Sequence, residues 1–255
     1  MPELLLEVGC EELPASFVIP ASADLARAIS VALQEARLVE GVAVPRTWST
    51  PRRLIVSVDG LAIRQPDEEK EVRGPALKSA YLPDGSPTPA LAGFLRGQGA
   101  EPAALYDDGQ YVWVRRHFAG RPTPEILAEL LPAAIRGLSF EKSMRWGASR
   151  LRFARPIRWI LALFDGQTVE FAIEDVASGH LSRGHRFYAP ETFAVRNTTE
   201  LLAGLRSRFV EPDPEKRRLD VIVGAQAAAA ANAGSPDLPD ALVDENVNLC
   251  EWPTV

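Results

Sequence analysis

The sequence predicts an α+β fold: mixed, largely antiparallel sheets with packed helices, and a helical segment towards its C-terminal end. Three observations carry that reading. Strand-like segments follow one another without the strict βαβα alternation of a doubly wound sheet. Asp165-Gly166 lies between two apolar runs, a strong hairpin signal, because a type I′ turn needs positive φ at both positions. Several segments place apolar residues at helical spacing behind Pro, Thr or Asp start signals.

Taken in order, residues 3–8 are short and apolar, a first strand. "EELPASF" is a turn and helix entry. Residues 21–38 place Leu25, Ile29, Ala32, Leu33 and Ala36 on one helical face, and Gly41 and Pro45 end that helix. "VAVPRTWST" and "PRRLIVSVDGLAI" are two extended segments. "RQPDEEKEVRGPA" reads as a charged, solvated loop. "PTPALAGFLRGQG" is a short helix opened by Pro89 and closed by Gly97 or Gly99. "GQYVWVRRHF" is a strand, and "TPEILAELLPAAIRGL" a helix with Thr123 as N-cap and Pro124 at its first position. "LRFA" alternates, "IRWILALF" is apolar on both faces, and "QTVEFAIED" returns after the turn with Val169, Phe171 and Ile173 inward. "SGHLSRGHRF" is loop or short strand. "NTTELLAGLRSRFV" is a helix, as is the segment opened by Asp213 and Pro214, and residues 239–255 begin another. The expected regions are 1–136, 137–209 and 210–255, or a single domain.

The chain has 255 residues, 46% hydrophobic and 24% charged, the balance of an ordinary globular protein with a sizeable core. Two cysteines, Cys10 and Cys250, argue against a disulfide framework and for a reducing, cytoplasmic setting. "MPELLLEVGCEELP" lacks the basic leader and long apolar stretch of a signal peptide. Uninterrupted apolar runs fall short of the ~20 residues that span a bilayer. A formal net charge of -6 confines any nucleic-acid contact to a local patch. Such a patch is present. Lys142, Arg145, Arg150, Arg152, Arg155 and Arg158 occur without an intervening acid, among Trp146, Phe153 and Trp159. Arginine neutralises phosphates and stacks, and an aromatic–base stack contributes ~1–3 kcal/mol. The competing reading is a hairpin arm whose arginines are solvated or paired with acids while the aromatics fill the core.

Catalytic signals are sparse. No Walker-type or GxGxxG loop and no GxSxG elbow occurs. His117, His180 and His185 show no metal spacing with the cysteines. Ser178 or Ser182 with His180 or His185 offers a hydroxyl–imidazole pair, against which stands the commoner surface or backbone-bonded histidine. Glu7, Glu11 and Glu12 around Cys10 admit a metal or acid–base reading. The plainer expectation puts Glu11 and Glu12 in the first turn of a helix and makes Cys10 a small buried residue. No catalytic residue and no metal site is assigned.

The strings "LLLEVGCEELP", "STPRRLIV", "RGPA", "MRWG" with "FARPIRW", "RGHRF" and "EWP" occur in this order and cover nearly the whole chain. Together they closely resemble the N-terminal part of the β subunit of the bacterial two-subunit glycyl-tRNA synthetase. The resemblance implies an N-terminal fragment of a much longer chain. It implies an assembly of two α and two β chains that attaches glycine to tRNA with ATP and magnesium. Glycine activation would belong to the α subunit, and this part would bind no cofactor of its own. It would bind tRNA(Gly) and the α subunit, with a second β subunit in the tetramer and no membrane. The implied fold is similar in part to the editing-type domain of the phenylalanyl-tRNA synthetase β subunit. On this resemblance Arg52, Arg53, Arg145, Trp146, Arg152, Arg155, Arg158, Arg183, His185 and Arg186 become candidates for tRNA contact or for the α-subunit interface. The alternatives are an editing-like hydrolase using Ser178, His180, Ser182 and His185, and a purely structural scaffold.

Overall fold

The computed structural model describes residues 2–254 and divides the chain into two compact units, residues 2–63 with 122–254, and residues 64–121. The division differs from the expected 1–136, 137–209 and 210–255. Strands on both sides of residue 136 share one sheet.

The first unit is built on β1 (Glu3–Cys10), β2 (Arg46–Thr50), β3 (Arg53–Asp59), β7 (Ile157–Phe164), β8 (Gln167–Thr168), β9 (Ala172–Ile173) and β10 (Val176–Gly179). These form one sheet in the order β2-β3-β1-β7-β10-β9, with β8 paired to β7. All its ladders are antiparallel except β10 with β7, which is parallel. Strand alternation then decides the two faces. Leu4, Leu6, Val8, Leu54, Val56, Ile160 and Ala162 face α1 (Ala15–Glu35) and α3 (Thr123–Arg136), which supply Leu25, Ile29, Leu33, Leu127 and Leu131. Leu5, Ile55, Leu161 and Leu163 face Leu201 and Leu205 of α4 (Thr198–Arg206). With both faces covered, the central strands are buried along most of their length, as their mainly apolar composition requires.

Two expected elements shift here. α1 begins at Ala15, before Pro20, which lies inside it, and ends at Glu35, after which Arg37 takes a left-handed φ of 55°. Pro20 conceals the first turns, because a proline ordinarily marks a helix start. α1 is long and apolar enough, by length and composition, to cross a membrane, although uninterrupted apolar runs are short. Its buried face of Val18, Leu25, Ile29 and Leu33 makes it a core helix of this sheet. α3 starts at Thr123 with Pro122 as its cap; the Thr123 hydroxyl, instead of capping, donates to the Ala62 carbonyl.

The Asp165-Gly166 turn has φ of 48° and 76°, the type I′ signature. The return strand is only the two residues of β8, although Val169 and Ile173 are buried as their alternation predicts. "LRFA" contributes one bridge, Met144 to Phe153, so residues 137–156 are mostly irregular and Arg158 alone of the basic stretch lies on the hairpin arm β7. β11 (Leu181–Arg183) and β12 (Thr192–Ala194) form a separate ribbon. α5 (Pro214–Ala231) opens as expected, with the Asp213 carboxylate accepting from the Glu215 and Lys216 amides, and α6 (Asp240–Val247) follows.

The second unit is a three-stranded antiparallel sheet, β4 (Glu68–Ala76), β6 (Tyr111–Phe118) and β5 (Leu105–Asp107), covered by α2 (Pro89–Gln98). Leu91 and Leu95 of α2 pack on Val112 and Val114. Thr88 caps α2 and Gly99, at φ 58°, ends it. The charged segment expected as a loop is the edge strand β4. Opposite charges across the ladder, Arg115 to Glu71 at 3.0 Å, stabilise a strand whose own composition is unfavourable.

Candidate functional site

The second face of the large sheet changes from apolar to polar along its strands. Leu5, Glu7 and Gly9 follow one another on β1. Gly9 lies beside Arg53 on β3 and Trp159 on β7. A Cβ on Gly9 would stand 1.9 Å from the Trp159 ring, so only glycine lets the indole lie flat across the strand. Three guanidinium groups surround that indole, Arg52 at 5.7 Å and Arg53 and Arg183 at 5.3 Å from its centroid.

Beneath the indole is a buried ionic cluster. Arg53, fully buried, donates from Nη1 to Glu7 Oε1 at 3.0 Å and to the Arg183 carbonyl at 2.9 Å, and from Nε to Glu251 Oε1 at 2.9 Å. Glu251 also accepts from the Thr50 hydroxyl at 2.6 Å and lies 4.0 Å from Arg52 Nη1. Two cations thus face two carboxylates. Burial pushes the Glu7 carboxyl above its ordinary range despite Arg53, whereas Arg53 and Thr50 hold Glu251 below it against burial. Ser182 and Trp159 face Glu7, but Glu7 Oε2, Ser182 Oγ and Trp159 Nε1 lack a partner at full hydrogen-bond geometry. Burial also raises the Cys10 thiol to about 12, so this small core residue is an unreactive thiol at neutral pH.

The cluster fastens two distant segments to the sheet. Arg53 holds the loop beginning at Arg183, and Glu251 holds the segment after α6. Nearby, Arg217, also fully buried, donates to the carbonyls of Ser49, Glu211 and Val247 at 2.7, 2.7 and 3.1 Å, tying α5 to the end of β2.

Outside this support stand the exposed groups. In the loop after β11, His185 Nδ1 accepts from the amides of Phe187 and Tyr188, so its imidazole is bonded to backbone; burial lowers its pKa. Its ring stacks on Tyr188 at 4.6 Å; Tyr188 meets Phe209, and Phe209 meets Trp252. Arg186 pairs with Glu11 and Glu12, and Arg158 with Glu11. Glu11 and Glu12 therefore serve as partners of these arginines and lie outside the first turn of α1, which contains no acid. A cleft of about 560 Å³ is lined by Trp146, Arg158, Trp159, His180 and Arg183.

The sequence candidates thus divide. Arg53 is inside the protein and Arg52 nearly so, and Arg53 holds the loop through the Arg183 carbonyl. Trp146, Arg158 and Arg183 share the cleft. His185 and Arg186 occupy the ring-bearing loop. Arg145 and Arg152 are exposed and Arg155 is half-buried in the irregular segment before β7. There Arg152 Nε donates to Ser143 Oγ and Arg155 Nη1 to the Ala154 carbonyl; among the described residues none of the three forms an ion pair. Ser178 is committed to the Val169 and Phe171 backbone, and among the described residues no hydrogen bond joins a serine to His180 or His185. No group of three metal-ligating side chains occurs among the described residues. Glu7 and Trp159, singled out in the sequence for other roles, meet here, whereas Phe187, Tyr188, Phe209 and Glu251 escape local sequence reading, although "RGHRF" and "EWP" mark two of the segments.

The site thus consists of buried ion pairs beneath exposed rings and arginines on an α+β core. The profile of the family described as glycyl-tRNA synthetase beta subunit matches residues 4–255. The chain is 46% identical to the glycine–tRNA ligase beta subunit of Geobacter sulfurreducens, with 99% of this chain and 37% of that protein covered. Against the proteins of the same name from Geobacter metallireducens and Syntrophus aciditrophicus it is 45% and 43% identical, covering 100% and 99% of this chain and 37% of each relative. The chain belongs to the glycyl-tRNA synthetase beta subunit family, whose members are aminoacyl-tRNA synthetase subunits. It spans 37% of the length of these curated relatives.

Proposed function

We propose that this chain is the N-terminal part of a β subunit that serves a cytoplasmic glycine–tRNA ligase by binding tRNA and the α subunit. In this reading ATP, magnesium and glycine activation belong to the α subunit, and an α2β2 assembly brings the two together. Family membership supports the assignment, and the observation that carries the tRNA role is the state of the basic stretch. Lys142, Arg145, Arg150, Arg152 and Arg155 form no ion pair among the described residues, while Arg158 and Arg186 are neutralised by Glu11 and Glu12. An acidic chain with unpaired cations in one segment attracts phosphate locally.

The test is tRNA binding by the full-length β chain across a salt series. Replacing Arg145, Arg152 and Arg155 together by Ala should weaken binding and flatten the dependence of log K on log salt by roughly two to three units, near one per phosphate contact. An unchanged slope refutes the tRNA assignment. Glycine-dependent pyrophosphate exchange by this chain without the α subunit would refute the division of labour.

A further inference from the structure

We infer that the open face of the second unit's sheet is a stacking platform for unpaired nucleotides of RNA, with Arg73 as its phosphate contact; this rests on the tRNA reading above. Val112 and Val114 turn to α2, so alternation turns Tyr111, Trp113 and Arg115 of β6 to the opposite face. Arg73 of β4 and Tyr106 of β5 stand directly opposite Trp113 in the ladders and share that face. Three rings and a guanidinium thus meet on three adjacent strands. The "RGPA" string shapes the edge of this face. The register shifts between Arg73 and Ala76, a Cβ on Gly74 would stand 2.8 Å from the Phe94 ring of α2, and Pro75 has no amide to offer the ladder. The bulge interrupts the pairing and leaves Arg73 exposed, its guanidinium 4.7 Å from the centroid of the Tyr111 ring. The Trp113 indole is fixed by its Nε1, which donates to Asp108 at 2.9 Å.

The makeup of this face selects the ligand. Among the described residues of the three strands it carries no aliphatic side chain larger than alanine, so nothing apolar fills the space between its rings to form the dry centre of a protein interface. Planar bases need no such filling. Each stacks on one ring, and rings two residues apart on a strand stand about 7 Å apart, room for one base each. The acids nearby are already answered. Arg115 holds Glu71 at 3.0 Å and lies 4.0 Å from Glu69, His117 lies 3.3 Å from Asp67, and Asp108 accepts from the Gln110 and Tyr111 amides as well as from the indole. Arg73 forms no ion pair among the described residues and is the cation left for a phosphate. Stacking supplies the affinity and Arg73 one backbone contact. Bases inside a duplex present no free face, so the ligand is a single-stranded loop or end.

The experiment measures binding of the full-length β chain to tRNA, to a labelled single-stranded oligoribonucleotide and to a duplex of the same length. Tyr111→Leu/Trp113→Leu keeps apolar bulk and removes both ring faces. It should lower oligoribonucleotide affinity at least about tenfold, while Tyr111→Phe/Trp113→Phe stays within about threefold of wild type. Arg73→Ala, at an exposed position that the fold does not depend on, should flatten the dependence of log K on log salt by about 0.7, one single-strand phosphate contact, with the melting temperature kept. Equal affinity of the Leu and Phe variants, or an Arg73→Ala slope equal to that of wild type, overturns the inference. A duplex bound as tightly as the single strand overturns it too, as does a Leu variant that keeps RNA affinity and loses the α subunit, which would make the face a protein interface. Wild-type binding of tRNA without the oligoribonucleotide overturns this inference alone; binding of neither overturns the tRNA reading with it.

Discussion

Glu251 gives the sharpest test of how this fold is held. Its carboxylate is buried, accepts from Arg53 Nε at 2.9 Å and from the Thr50 hydroxyl at 2.6 Å, and stands 198 residues from Arg53 in the chain. Glu251→Ala leaves Arg53 with a single carboxylate, Thr50 with none, and Arg52 without its nearest acid. A buried hydrogen bond to a charged group contributes about 1.5–3 kcal/mol and a neutral one about 1. Together with the uncompensated charge, the expected loss is about 3–5 kcal/mol, the range for breaking a buried pair from one side. Glu251→Gln keeps one oxygen for Arg53 and Thr50 but loses the charge and turns the oxygen facing Arg52 into a donor, so roughly 1.5–3 kcal/mol is expected. Urea unfolding followed by tryptophan emission measures both. A Trp113→Phe background removes the indole of the second unit, so the signal comes from the first.

The pH dependence adds a second constraint. The folded Glu251 carboxyl lies below its ordinary value, so the folded state holds fewer protons than the unfolded chain in the window between them. Its contribution is complete above the unfolded carboxylate range and is lost as pH falls through the folded value. The gap between wild type and Glu251→Gln should shrink on acidification. A cost below about 1 kcal/mol for Glu251→Ala at pH 7, or a gap that widens in acid, refutes the claim that this carboxylate is ionised and shared.

Two further outcomes follow from the same site. Gly9→Ala forces the Trp159 indole from the strand, because the added Cβ falls 1.9–2.3 Å from its ring atoms; overpacking of about 1–3 kcal/mol is expected. Gly9→Ala/Trp159→Leu should cost less than the sum of its parts in thermal melts, and strict additivity would sink the contact. His185 is held below its ordinary value by burial and accepts two backbone amides through Nδ1. Because its folded pKa is below the unfolded one, this contribution is present above the unfolded value near 6.5 and lost as pH falls. NMR should show His185 titrating below free histidine, with the Phe187 and Tyr188 amides shifting in step; titration above it would contradict the assigned bonds.

Local signals carried the framework. The apolar strands, the Asp165-Gly166 turn and the Asp213 cap each announce themselves within a few residues, and each is present. What escaped depends on partners far along the chain. The segment "RQPDEEKEVRG" is a strand only because β6 lies opposite it and pairs Glu71 with Arg115. The first turns of α1 form despite Pro20 because Val18 and Leu25 are buried against the sheet. The site is less legible still. Glu7, Arg53 and Trp159 look unrelated until antiparallel register brings Gly9 between Arg53 and Trp159, and Glu251 joins them from the far end of the chain. Motif strings could flag these segments but not say that Arg53 supports a loop from within.

An arginine count therefore says little about what a basic stretch does, and the acids that answer it say more. Two of the cations that look like an RNA surface in the sequence are internal: Arg53 serves Glu7 and Glu251, and Arg52 lies beside Glu251. Arg158 and Arg186 are claimed by Glu11 and Glu12. Arg145, Arg152 and Arg155 remain without an ion pair among the described residues, all between residues 142 and 155. With a net charge of -6 on the whole chain, long-range attraction for a polyanion is absent, and at physiological salt fields fade within ~8 Å. A phosphate backbone would be drawn to that segment only at short range.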